Sequence, residues 1–480
     1  MAYRQTERKQ RLLFPESLDE YVSQEDPVRA YDAFVDALDM ESLGIEWDPH
    51  KVGCPQYDPK VMLKILVYGY SYGIRSSRKL ERALYHNLSF IWLAGFLKPD
   101  HKTIAEFRRQ NRKALKHVLK QCAGLCIELD LIAGNTLFVD GSKFRGNVSL
   151  NNLWTPQRCQ KYLARVDQRI DEILAECDSI DQKEADDGSL VKLKEQLQGK
   201  QKLKAKVQKA LEKLRTEGLD RLNTTDPESA RIHGRQGSHA GYNAQIVVDD
   251  RHGLIVQSDV VNDNNDLGQF ANQVEQAQQT LGKPCEVACA DAGYSNADEL
   301  EKIDAKGIRV IVPSSKQASG KEAGPFDKSR FRYIPGDDVY ICPEGIRLSY
   351  RRLNGQRDQR EYYPGRGVCP NCRHFKICTK NVTTGRKIIR YENEAVREKL
   401  AAQYEQAWSQ QIYSGRKEKV ELPFGHIKRN LGVDSFLLRG LAGVGAEMSI
   451  LCSCFNIARL IGLFGVSGLI LRLTQLGLYS

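Results

Sequence analysis

The 480-residue sequence lacks a secretion signal and lacks an apolar run long enough to cross a bilayer, and each absence narrows its setting. Its first residues, MAYRQTERKQRLL, are charged and carry no apolar core of the kind a signal peptide needs. The run LIGLFGVSGLIL at 460–471 holds only twelve residues between Arg459 and Arg472. A membrane helix takes about twenty, so this run reads as part of a buried helical tail, with no membrane partner. Thirteen cysteines, an odd number without an export signal, speak against a disulfide framework and for a reducing cytoplasm.

What is present is cationic and unevenly spread. The net charge is +10, yet residues 1–50 hold 5 Lys and Arg against 12 Asp and Glu, and residues 51–120 hold 15 against 4. A basic segment beside an acidic one points to a polyanion-binding surface whose affinity falls steeply with salt. Residues 1–130 read as mostly helical. KVMLKILVYGYSYGIRSSRKLERALYHN (60–87) sets Met62, Ile65, Leu66 and Tyr70 at near-helical spacing, then a turn and a second helix with Ser76 or Ser77 as its N-cap. KPDHKTIAEFRRQNRKALKHVLK (98–120) repeats the plan from Asp100 or Thr103. Arg75, Arg78, Lys79, Arg108, Arg109 and Arg112 are the candidate DNA contacts of this helix-turn-helix-like region, a plain bundle with a wet basic face being the competing reading.

Strands follow. TLFVD (136–140) is the first, GYNAQIVVDD and GLIVQSDVV form a hairpin across Arg-His-Gly, residues 266–282 are helical, and CEVACAD and RVIVP are further strands. That order predicts a mixed α/β sheet of ribonuclease H-like type in residues 131–480. Two insertions interrupt it. In 157–220, Leu163, Val166, Ile170, Ile173, Cys177 and Ile180, then Leu203, Val207, Leu211 and Leu214, recur by three and four around the turn DQKEADDGS, which predicts a helical hairpin serving as spacer or packing arm. The second insertion, 315–390, gathers glycine, proline and cysteine. There Cys342, Cys369, Cys372 and Cys378 follow the pattern Cys-x26-Cys-x2-Cys-x5-Cys, suited to a tetrahedral structural Zn2+, with His374 as a substitute ligand. Reduced, unligated thiols are the competing reading.

Asp140 ends the predicted first strand, and Asp291, in ACADAGYSN, ends another. Two such carboxylates at one sheet edge repel unless cations sit between them, and hard oxygen ligands suit Mg2+. In YSGRKEKVELPFGHIKRN (413–430), Glu418 reads as an exposed surface acid between two lysines, whereas Glu421, ahead of Pro423 and Phe424, reads as partly buried near a helix start. Lys428 falls about two turns beyond Glu421, on roughly the same face. His426 reads as structural.

VDGSKFRGN, ACADAGYSN and RKEKVELPFGHIKRNLGVDSFLLRG resemble the three motif blocks of bacterial insertion-sequence DDE-type transposases. LFPESLDEYVSQEDPVRAYDAFVDALD, the YDPKVMLKILVYGYSYGIRSSRKLER block and LKPDHKTIAEFRRQN are similar to that family's N-terminal domain. The resemblance implies that Asp140, Asp291 and Glu421 are catalytic ligands of two Mg2+ ions, for which Mn2+ can substitute. It also implies a Tyr-Arg-Glu-Lys signature falling on Tyr413, Arg416, Glu421 and Lys428. Arg416 stands one residue farther from Glu421 than the common pattern and Lys417 occupies that place, so either cation is the DNA clamp; Lys143 and Arg145 are candidates for the same work. The implied activity is metal-dependent cleavage and strand transfer at terminal inverted repeats, by a homodimer acting on double-stranded end and target DNA at the bacterial nucleoid. Cleavage without strand transfer, and a domesticated DNA-binding protein, are the alternatives.

Overall fold

The computed structural model describes residues 17–45, 56–181, 187–234, 237–320, 322–354 and 359–479. The N-terminal stretch MAYRQTERKQRLL, the opening of the LFPES block and most of the DQKEADDGS turn lie outside the described residues, and so does the side chain of Ile180.

The first region is helical. Helix α1 (Pro27–Asp36) starts where the Asp26 carboxylate accepts the Val28 N–H, and α2 (Pro59–Ser71) starts in the same way on Asp58 and Lys60, each with proline in its first turn. On the inward face of α2, Met62, Ile65, Leu66 and Tyr70 are buried. Lys64 pairs with Asp32 at 2.6 Å and Asp36 at 2.8 Å. Part of the acidic and basic imbalance read from the sequence is therefore settled between neighbouring helices, inside the fold. Helices α3 (Ser77–His86) and α4 (His101–Gln110) follow, with Ser76 and Asp100 at their N-caps; only Asp100 makes the side-chain cap bond, to the Thr103 N–H at 2.7 Å.

The central sheet opens with β1 (Thr136–Arg145). Two long helices intervene, α5 (Pro156–Asp181) and α6 (Asp187–Thr216), which pack against each other. Near their base, Trp154, Cys159, Val207, Leu211 and Leu214 make a small core separate from the main one. The sheet resumes with β2 (Ala230–Gly234), β3 (Gly237–Asp249) and β4 (Ile255–Val261). Gly253, at φ 68°, supplies the left-handed residue of the β3–β4 turn. After α7 (Phe270–Leu281) come β5 (Val287–Cys289) and β6 (Arg309–Ile311). The order is β4-β3-β1-β5-β6, with β3 antiparallel to β1 and β4, with β5 and β6 parallel to β1, and with β2 extending the β3 edge.

The cysteine-rich stretch also builds a sheet, which the sequence reading did not anticipate. It is a five-stranded antiparallel meander of β7 (Arg332–Ile334), β8 (Val339–Ile341), β9 (Arg347–Asn354), β10 (Gln359–Tyr363) and β11 (Ile388–Tyr391). Phe331, Tyr340, Leu348, Tyr362 and Ile388 form its core.

Two C-terminal helices close the molecule. Helix α8 (Ala407–Gly425) lies against β1, and α9 (Leu441–Gln475) packs against the N-terminal helices and β4. The apolar tail belongs to this 35-residue helix, which is long and apolar enough to cross a membrane by length and composition. Residues Gly443–Ile457 are buried throughout. Beyond the break at Gly465 only one side stays covered: Leu469 and Leu473 are buried, while Leu471 is exposed. The twelve-residue run is thus a half-exposed end of a buried spine, not a wholly buried tail. Glu447 of α9, fully buried, accepts from Arg75 at 2.5 Å and from the Leu437 and Leu438 N–H groups, which ties the N-terminal helices to the C-terminal part of the chain.

Candidate active site

Parallel register brings the first two acids together. Phe138 of β1 pairs with Cys289 of β5, and two residues farther along each chain stand Asp140 and Asp291. Asp140 does not end its strand. The ladder to β3 continues past it to Arg145, because Gly141, Ser142 and Lys143 keep pairing with Gln245, Ala244 and Asn243. Asp291 does not end its strand either: it lies two residues past Cys289, the last residue of β5, and its carboxylate accepts the Gly293 N–H at 2.8 Å to set the following turn.

A guanidinium lies between them. Arg416 of α8 donates from Nη2 to Asp140 Oδ1 at 2.8 Å, and the same nitrogen stands 3.5 Å from Asp291 Oδ2. Arg416 is buried, and its Nε is shut from solvent without a hydrogen-bond partner. Burial pushes the Asp140 carboxyl up to about 6; the Arg416 charge pulls the other way, while the charges of Asp291 and Asp266 push it up further.

Asp266, which the sequence reading did not single out, stands on the other side of Gly141. Its Oδ1 accepts from Asn243 Nδ2 at 2.7 Å and Gln245 Nε2 at 2.8 Å, and Gln245 in turn accepts from the Tyr294 hydroxyl at 2.5 Å. A Cβ on Gly293 would lie 2.9 Å from Asp291 Oδ1 and 3.7 Å from Asp266 Oδ2, so both acids border the same glycine. Burial first, then the negative charges of Asp266, Asp140 and Asp291, hold the Tyr294 hydroxyl far above its ordinary range. In the sequence, the signal was the acid- and amide-rich VNDNND after a strand; nothing local tells which of its aspartates turns inward.

Glu421 is not with the other two acids. Its side chain is 65% exposed and its ion-pair partner is Lys417, one turn back, at 4.0 Å. Five residues along a helix rotate the side chain by roughly 140°, so when Arg416, Val420 and Phe424 are buried, Glu421 faces outward. Among the described residues no three or more His, Cys, Asp and Glu side chains are arranged to hold a metal ion. The partial burial expected for Glu421 is therefore corrected. His426 packs edge-on against Phe455, and Tyr413 against Tyr404.

The candidate DNA cations divide into three sets. Arg75 and Arg108 are committed to the fold: Arg75 to buried Glu447, and Arg108 to the Tyr70 hydroxyl, the Arg75 carbonyl and Ser77. They are thereby removed from the DNA-facing list, since freeing either would strand buried polar groups. Arg78, Lys79, Arg109, Arg112, Arg145 and Lys417 are exposed. Beside the acids, Lys428 Nζ meets Ser142 Oγ at 2.5 Å and lies 4.6 Å from the Phe144 ring centre, while Lys143 donates to the Asn264 carbonyl at 2.7 Å.

The four cysteines line one cavity of about 30 Å³ together with His374. The Ile346 N–H points to Cys342 Sγ and the Arg386 N–H to Cys369 Sγ, both at 3.3 Å. His374 is turned to Glu344 at 3.1 Å. The thiols share a pocket but not the geometry of a metal site, and the zinc expectation is not met by this arrangement.

Two family models match the chain: a transposase domain (DUF772) over residues 16–110 and a transposase DDE domain over 341–461. The chain thus carries stretches similar to a transposase domain and to a transposase DDE domain, which together support a DDE-type transposase. The DDE match takes in Arg416, Glu421, Lys428 and the four cysteines; Asp140 and Asp291 lie before it. No curated protein matches. Among solved structures, the piggyBac transposase synaptic complex with hairpin DNA aligns over 94% of this chain and 76% of its own, at 10% identity and a TM-score of 0.33, too slight a likeness to bear on fold or function.

Proposed function

We propose that this chain is a transposase that binds the terminal inverted repeats of its element and cleaves and rejoins double-stranded DNA on a ribonuclease H-like sheet. The observation that carries the reading is the placement of Asp140 and Asp291 side by side by the β1–β5 register, with a basic helix laid across them. The strand order β4-β3-β1-β5-β6, with only β3 reversed, supports the ribonuclease H-like assignment. Exposed Arg78, Lys79, Arg109 and Arg112 supply the end-binding charge. Lys428, held near β1 between Ser142 and two aromatic rings, supplies a phosphate contact next to the acids.

A DDE domain implies dependence on a divalent cation. In the arrangement described, Asp140, Asp291 and Glu421 do not fit a pair of magnesium ions, because a guanidinium fills the gap between the first two and the third faces solvent. The chain's own contribution is positional: paired acids on rigid strands, and cations that hold a phosphodiester over them. Homodimeric pairing of DNA ends and a cytoplasmic setting complete the proposal.

The test is a strand-transfer assay with labelled end DNA and Mg2+. Joined product supports transposition. Nicked ends without joined product would reduce the activity to that of an endonuclease, and end binding without nicking would make the chain a DNA-binding protein.

A further inference from the structure

We propose that the turn at residues 95–98 is a wedge, whose Phe96 ring, with Leu97 behind it, enters between two stacked base pairs of duplex DNA and opens that step. The inference rests on the DNA-binding reading above, and names how one exposed turn of the N-terminal region meets the duplex.

The backbone of the turn carries the first half of the argument. The short helix Leu88–Leu93 stops where the Gly95 N–H meets the Trp92 carbonyl at 3.0 Å and the Phe96 N–H meets the Ile91 carbonyl at 3.1 Å. Glycine is the usual residue for the left-handed position of such a stop, and Gly95 takes it at φ 55°. Phe96 then takes a second left-handed position, at φ 66°, in a region that bulky side chains rarely enter. The apolar residue at this place commonly folds back onto the end of its helix. Phe96 is instead 64% exposed, and no other aromatic ring among the described residues lies against it. A ring held in water on an unfavourable backbone gives up burial and local ease together, and strain of that kind persists where a function uses it.

The surroundings select the occupant. Tyr85, Leu88 and Leu97 are exposed as well, and Lys98 Nζ lies 4.7 Å from the centre of the Tyr85 ring, which sets the turn beside the end of α3. Residues 82–99 contain Arg82, His86 and Lys98 but no Asp or Glu. The acids at the two borders are occupied, Glu81 by His101 at 2.8 Å and Asp100 by the Thr103 N–H at 2.7 Å. An aromatic tip rimmed by cations, with no carboxylate of its own, is complementary to stacked bases between phosphates. A second copy of the same patch is a poorer occupant, because it sets exposed Arg82 and Lys98 against like charges. Cations alone hold any duplex through its phosphates, whereas a wedge discriminates by how easily a base step opens. A step beside a mismatch opens most easily, so the wedge confers a preference that charge does not.

The test measures binding of the full chain to a short random-sequence duplex, fully paired or with one central T·T mismatch, each with 2-aminopurine at the central step. Wild type, Phe96→Ala and Phe96→Trp are compared. Wild type should bind the mismatched duplex about 10-fold more tightly than the paired one, with a rise in 2-aminopurine fluorescence as the step opens. Phe96→Ala should bind both duplexes alike, with the salt dependence of wild type, and Phe96→Trp should keep the preference. The wild-type comparison needs no substitution, so a folding defect in a variant leaves the proposal open to refutation. If wild type binds both duplexes equally, in a salt-dependent way and without a change in fluorescence, the wedge is wrong and the DNA-binding reading stands. If it binds neither, both fail. A preference that survives in Phe96→Ala also overturns the wedge; a wild-type dimer that this variant splits in sedimentation would then assign the patch to a second copy of the chain.

Discussion

Two clusters of metal-type ligands meet opposite fates in this molecule. Asp140 and Asp291 are about 150 residues apart in the chain and end up on one guanidinium. Cys369, Cys372 and Cys378 lie within ten residues of one another, share a cavity with Cys342, and still do not present a coordination shell. The difference is the scaffold. A parallel β-ladder sets the acids' positions through backbone hydrogen bonds on both strands, and a buried sheet cannot slip by one residue without turning every side chain over. The three later cysteines sit in turns between β10 and β11, where closeness in sequence fixes distance along the chain but not the direction of each sulfur.

The comparison breaks most visibly at the acids. Asp140→Ala should lower DNA cleavage by roughly a thousandfold or more, about 4 kcal/mol of barrier, with end binding by mobility shift largely kept. Cleavage at the wild-type rate would remove the acid pair from the chemistry. Next in size is Gly141→Ala. Its Cβ would fall 2.5 Å from Gln245 Nε2, 2.6 Å from Asp266 Oδ1 and 3.0 Å from the Tyr294 hydroxyl. Pushing that network aside should misplace Asp140 and cost about a hundredfold in activity while the protein still folds. Activity within twofold, by contrast, would show that the Asp266 network is incidental.

A smaller effect lies in stability against pH. Burial raises Asp140 from 3.8 to about 6, so between those values the folded protein keeps a proton that the unfolded chain has released. The group's contribution is thus fully present below about pH 4 and is lost as pH rises through about 6, for a change of about 3 kcal/mol. Urea unfolding of Asp140→Asn in metal-free buffer should show a flatter decline across that window than wild type; parallel curves would mean that Asp140 is not desolvated in solution. The smallest expected effect is at the thiols. Adding a zinc chelator should shift the thermal midpoint by less than about 1 °C, under about 1 kcal/mol for a protein of this size. A loss of several degrees, with zinc in the untreated protein, would reverse the contrast and give the cysteines a structural ion.

Much of this was legible along the chain. The helix starts at Ser76 and Asp100, the hairpin around Gly253 and the alternation of strands with α7 are local signals, settled by residues a few positions apart. The small meander of 332–391 was not legible, because its strands are short, rich in arginine and tyrosine, and masked by the turn residues around the cysteines. Arg75 and Arg108 looked like surface cations, since nothing nearby in sequence announces Glu447, which is some 370 positions downstream of Arg75.

By itself, the sequence determined most of the residues that could do chemistry and, outside the 332–391 meander, which segments would be helix or strand, because composition, caps and periodicity act over one or two turns. Only the tertiary structure decided which of those residues meet. Strand register put Asp140 beside Asp291, the rotation of α8 turned Arg416 inward and Glu421 outward, and the fold of one acidic turn brought Asp266 behind Gly141. Each is a long-range consequence of burying apolar faces, and a charged side chain inherits its position from the apolar neighbours that decide which way its helix or strand must lie.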